Sequence, residues 1–373
     1  TRPDAAEVAL MARAFATAVA PPSGLTDLQR VLIEALFPAL TDHHVDVGAV
    51  EPLDPGELAE ALRDRTLAFR TRVIQMTLLC ALVLRPLPVE VADRVGRYAA
   101  AMGVDEGMLT VAHRFATGSL GLAAVDFERN GYTSHWDPHA RRELHTSTEL
   151  RSAWDLAVTD DALAERWMTL RDLPEGTLGR GVWQLYEARG FVVPGRPGSA
   201  PPLLAQHDWV HVLADYGTTV ESELEVFAFI ARANDDMRAF SLLAMVVSLF
   251  ETGYLRTGAG LFQYDPGHMS VGRAMAMRVA DGLRRGAWCH DAVTGDDSID
   301  YLQLDWFALA DRPVADVRER FGLRPKSEEV VAAGSVGPWE PGGISPFQLR
   351  AGRAAAEADG RAYDAFGASP PPG

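Results

Sequence analysis

Residues 206–223 read Gln-His-Asp-Trp-Val-His-Val-Leu-Ala-Asp-Tyr-Gly-Thr-Thr-Val-Glu-Ser-Glu. His207 and His211 are four apart, so on an α-helix their imidazoles stand about 40° apart on one face, one turn above the other. That spacing lets two histidines grip one divalent cation, as in zinc-binding His-x-x-x-His helices. Asp208 stands three residues before His211 and reaches the same spot. The pattern predicts a helix that ends before Gly217, with that glycine taking the left-handed conformation. Thr218 with Glu221 reads as a capping box that opens a second helix. Glu223 then sits in the first turns of that helix and can fold back on the first. Two imidazoles with one or two carboxylates suit zinc, manganese or iron(II) with a position left open.

Working outward, Leu173–Arg180 reads Leu-Pro-Glu-Gly-Thr-Leu-Gly-Arg, and Ala276–Trp288 reads AMRVADGLRRGAW. Further on come Leu304-Asp305-Trp306, Pro313-Val314, Val317-Arg318 and Phe321-Gly322-Leu323. His-Asp-x-x-His, eleven residues, then Glu, flanked by these segments in this order, resembles the coenzyme Q (ubiquinone) biosynthesis protein 4 family. The resemblance covers about residues 160–326. It implies an all-helical fold there, a lipid-accommodating groove and a homodimer. It also implies work on the aromatic head of a prenylated quinone precursor: loss of the ring carboxylate with hydroxylation at that carbon. Carried onto this chain, the metal ligands would be His207, Asp208, His211 and Glu223, with zinc the first expectation and manganese or iron(II) the alternatives. Asp208 is the candidate catalytic acid if it is not a ligand, and Glu223 the alternative.

Two other functions stay open. One is a soluble natural-product tailoring enzyme acting on a non-prenylated aromatic. The other is a non-catalytic scaffold that binds a prenyl lipid and organises other biosynthetic enzymes around a structural metal.

Composition narrows the classes of partner. The net charge of −16 argues against nucleic acid and against docking on anionic lipid by charge. Hydrophobic residues make up 47% and charged residues 23%, as in an ordinary globular chain. Lys326 stands alone among many arginines, and Cys80 and Cys289 lack metal spacing, which suits a reducing, cytoplasmic setting. No signal peptide is read at the start. The longest apolar runs, Val73–Leu84 and Phe240–Phe250, fall short of the ~20 residues a spanning helix needs.

The punctuation predicts an all-α architecture in two parts. Residues 1–125 form an N-terminal helical domain: helices over 4–20, from Thr26 or Asp27 to about Leu40, from Asp54 to about Arg70, and over 71–84, 88–102 and 105–115. Its layout is faintly similar to TerB-like helical domains. Asp42-His43-His44-Val45-Asp46 reads as a solvated loop rather than a metal cluster. Residues 126–150 read as a linker. His135 and His139 repeat the four-residue spacing there, with His145 beyond, but Pro138 keeps them off one helical face.

Residues 151–326 form the metal-binding part, with Trp154, Leu156, Leu163, Trp167 and Leu170 at core spacing. Its loop Pro194–Pro202 is long enough for a lid. Met237, Met245, Met269, Met275 and Met277 fit core packing, or the lining of an apolar tunnel. Residues 327–373 are a Gly-, Pro- and Ala-rich tail, expected to be extended or disordered at its Ser369–Gly373 tip.

Overall fold

The structure, a computed structural model, describes residues 2–48, 50–132, 159–200, 202–255, 266–293 and 299–371. These residues form helices nearly throughout and no strand, with isolated bridges only at Thr177–Pro313 and Pro341–Ser369. Among the described residues, no helix is long and apolar enough to cross a membrane. His135, His139 and His145, with Trp154 and Leu156, lie outside the described residues.

The N-terminal part begins where its capping residues say it should. Asp4, Thr26 and Asp54 each accept backbone N–H groups and form capping boxes at α1 (Ala5–Val19), α2 (Asp27–Thr41) and α3 (Pro55–Ala61). The break expected between Arg70 and Thr71 falls earlier, after Ala61, and the next helix runs through the expected boundary. α3 stops at Ala61, Arg65 turns aside to Glu7 with its Nε donating at 2.8 Å, and Thr66 caps α4 (Leu67–Leu82). α5 (Val89–Ala101), α6 (Met108–Ala116) and α7 (Leu120–Asn130) follow, so helix runs into the stretch read as irregular from residue 126.

The second part contains α8 (Asp161–Met168), α9 (Leu178–Arg189), α10 (Pro202–Ala214), α11 (Val220–Ala233), α12 (Phe240–Phe250), α13 (Arg273–Ala287) and α14 (Val314–Arg320). The Gly- and Pro-rich tail also carries helices, α15 (Glu328–Ala332) and α16 (Pro346–Ala358). A Ser345–Gln348 capping box with Pro346 at the first position opens α16, and α16 packs on α9. Near the tip, the Ser369 carbonyl accepts from Gly342 N at 2.7 Å.

One hydrophobic core runs from Val8 to Phe321. Its spine is α13, which lies against α11 on one side and α2 on the other. Gly282 and Gly286 make the first contact possible. A Cβ at Gly286 would stand 2.4 Å from the Phe229 carbonyl oxygen, and one at Gly282 would stand 2.8 Å from that of Glu225.

Candidate metal centre

α10 is buried on every face from Ala205 to Ala214 and is therefore a central helix rather than a surface one. Trp209 stacks on Trp306 at 5.9 Å and meets Trp167 edge-on at 5.7 Å. Arg318 closes the far end of the helix, its Nε donating to the Leu213 carbonyl at 2.7 Å. The Leu173–Arg180 segment locks onto the segment around Trp306, with Leu178 N donating to Arg312 O and Gly179 N to Ala310 O. Segments distant in sequence thus make one wall behind Trp209.

The turn after α10 differs from the expected one. Asp215, with φ 63°, takes the left-handed conformation that Gly217 was expected to take. Gly217 is needed for close approach instead, because a Cβ there would stand 2.8 Å from Gly343 Cα. The cap of α11 is Thr219, whose side chain accepts from Ser222 N, and not Thr218. Thr218 is engaged by Gln348 and Arg189.

The hairpin of α10 and α11 brings together the four side chains singled out in the sequence. The ligand atoms of His207, Asp208 and His211 all lie within 4.8 Å of one another. Glu223 bridges the imidazoles: His207 Nε2 is 3.3 Å from one of its oxygens and His211 Nε2 is 3.4 Å from the other. His207 Nε2 also lies 3.6 Å from Asp208 Oδ1. All four residues are buried, from 0% exposed at His211 to 8% at His207.

The outer contacts set which nitrogen of each ring faces the centre. His211 Nδ1 lies 2.7 Å from the Gly217 carbonyl oxygen, which can only accept, so Nδ1 carries the proton and Nε2 presents its lone pair. The Leu204 carbonyl likewise accepts from His207 Nδ1, which leaves Nε2 facing Asp208 and Glu223. Phe227 lies flat against the His207 ring, 5.0 Å between centroids. Tyr186, on α9, donates its hydroxyl to Asp208 Oδ2 at 2.6 Å.

Electrostatics couple the groups tightly. Burial disfavours a charged His207, yet Asp208 and Glu223 outweigh it and raise the imidazole to about 9. Burial also works against the Glu223 carboxylate, but His211 and His207 lower it to about 2. For Asp208 burial dominates and the carboxyl is raised, the histidines and Tyr186 opposing.

His211 Nε2 is fully buried and has no hydrogen-bond partner. A buried lone pair left so costs roughly 1–3 kcal/mol, and a cation between the imidazoles and Glu223 removes that cost. Two imidazole nitrogens with carboxylate oxygens fit zinc, manganese or iron(II).

Among the described residues, His207, Asp208 and His211 are the group placed to hold an ion, with Glu223 against both imidazoles. His43 and His44 lie on the loop after α2 and are not part of that group. Met269 and Met275 are core residues, and Met237, Met245 and Met277 are half-buried. The 194–202 loop is tied to the start of α8, Asp160 N donating to Gly195 O at 2.9 Å. Tyr186 and the Gly217 and Leu204 carbonyls were not singled out in the sequence. A tyrosine 21 residues before His207 (207 − 186) carries no local signal.

No family model and no curated protein matches the chain. Among solved structures, a Nostoc punctiforme protein named as a candidate ubiquinone biosynthesis protein aligns at 23% identity and a TM-score of 0.31. The alignment covers 58% of this chain and 97% of that one. A likeness so slight carries no argument here.

Proposed function

We propose that the chain is a metal-dependent biosynthetic enzyme that decarboxylates an electron-rich aromatic acid of the quinone-precursor class. The observation that carries this reading is the convergence of His207, Asp208, His211 and Glu223 around the unpartnered Nε2 of His211. The sequence resemblance supplies the substrate class. When bound, a divalent cation supplies Lewis acidity toward a phenolate or carboxylate oxygen.

The chain's own groups do the rest. His207, His211 and Glu223 hold the ion, with or without Asp208. Carrying a proton, Asp208 delivers it to the ring carbon that bears the carboxylate. The carbon–carbon bond then breaks, its electron pair returns to the ring, and carbon dioxide leaves. The Asp208 carboxylate is steadied by the Tyr186 hydroxyl and regains its proton from solvent. Hydroxylation at the same carbon would additionally take dioxygen, with a redox-active metal such as iron(II) or an electron-rich substrate; zinc supplies no electrons.

A second reading, a prenyl-lipid-binding scaffold with a structural metal, draws on the burial of all four side chains. One assay separates the readings: release of labelled carbon dioxide from a prenylated phenolic acid and from its non-prenylated analogue. Zinc-, manganese- and iron(II)-loaded protein are compared with the metal-free form. Release with a loaded form and none without metal supports the enzyme, and preference for the non-prenylated acid assigns it to natural-product tailoring. Tight binding of the prenylated acid with no release in any form supports the scaffold and overturns the enzyme.

A further inference from the structure

We propose that the C-terminal segment 336–348, beyond the part resembling the family, belongs to the metal centre as its outer support, with Gln348 and Arg189 as positioning residues. The proposal rests on the metal reading above and extends it to residues that touch no candidate ligand.

The Gly217 carbonyl, which contacts the His211 ring, sits on a stretch of backbone held by this segment and by α9. Gly217 N donates to Val336 O at 2.9 Å, and Thr218 N donates to Gly343 O at 2.9 Å. Gln348 grips Thr218 from both ends: its Nε2 donates to the Thr218 carbonyl at 2.9 Å, and its Oε1 accepts from the Thr218 hydroxyl at 2.8 Å. Arg189 Nε donates to the same hydroxyl at 2.5 Å, and its Nη2 donates to Pro338 O and Gly343 O at 2.8 and 2.9 Å. Arg189 is 0% exposed and Gln348 1%.

Arg189 stands three residues after Tyr186 on α9, so one helix grips Asp208 with the first side chain and the turn with the second. The contact of Gly217 with Gly343 Cα leaves no slack between the layers. Loosening the tail therefore frees the Gly217 carbonyl, and His211 loses the contact that aims Nε2. Groups that orient ligands in this way change metal affinity about 10- to 100-fold.

The test uses full-length protein carrying Gln348→Leu, Thr218→Val or Asp54→Ala. Asp54 caps α3 through Gly56 N and lies outside the segment and the turn, so its variant controls for a general loss of stability. Zinc affinity is measured by competition with a chromophoric chelator, and circular dichroism checks that each variant is folded. Imidazole nitrogen shifts of metal-free protein report the His211 tautomer whether or not zinc binds.

Expected are at least ~10-fold weaker zinc binding for Gln348→Leu and Thr218→Val, loss of the single Nδ1–H tautomer in both, and wild-type behaviour for Asp54→Ala. An unchanged tautomer in folded Gln348→Leu overturns the proposal, as does equal weakening in Asp54→Ala. Absence of zinc binding in the wild type would defeat the metal reading, leaving the tautomer to judge the positioning.

Discussion

Tyr186 and Asp208 share a buried hydrogen bond of 2.6 Å, the hydroxyl donating to Asp208 Oδ2. Tyr186→Phe removes the donor without changing the packing shape. In metal-free protein it should lower stability by about 1–3 kcal/mol, because a buried carboxyl oxygen is left unpaired. Urea denaturation reads this directly; an unchanged midpoint would mean the oxygen has another partner. At this scale the sequence made the juxtaposed side chains legible and their supports illegible. His207, His211 and Glu223 could be read because helical periodicity and a turn of ordinary length tie their positions to one another. Tyr186 reaches Asp208 only because α9 packs on α10, which no local pattern encodes. The turn was read one way and built another. Gly217 suggested a left-handed residue, but Asp215 takes that conformation and the glycine serves close approach to Gly343.

Between elements, the pairing of α11 with α13 carries the position of Glu223. Gly286 lets the backbones meet, and Arg278 pairs with the buried Glu225 at 2.6 Å across the same interface. Gly286→Ala would place a methyl group 2.4 Å from the Phe229 oxygen and 2.8 Å from Ala233 N. Neither atom can rotate away, so the helices must part, at a cost of about 1–3 kcal/mol. A thermal melt checks this, and an unaltered melting temperature would contradict the close approach. The helix starts at Asp4, Thr26 and Asp54 were legible because these residues cap by their chemistry. α16 was missed because Gly342-Gly343 and the prolines dominate the composition, although Ser345-Pro346-Phe347-Gln348 is itself a helix-start signal.

Across the whole molecule, the N-terminal helices support the helix that carries Glu223. Arg72 on α4 donates to the carbonyls of Ala231 and Asn234 at 2.8 and 3.0 Å, capping the end of α11. Gln75 donates to Met237 O, and α2 covers the outer face of α13. The all-α class was legible from periodicity. The intimacy of the two parts was not, because it depends on which apolar faces meet. Residues 151–371 expressed alone should aggregate or melt at lower temperature than the full chain; equal stability would contradict a shared core. The most direct measurement is metal content by elemental analysis of tag-free, full-length protein, wild type beside His211→Ala. The expected result is about one divalent ion per wild-type chain and a loss of that occupancy in a folded variant. Equal metal content in the two proteins, or none in wild type after reconstitution with zinc, manganese or iron(II), would contradict the assignment of His207, Asp208, His211 and Glu223 as a metal centre.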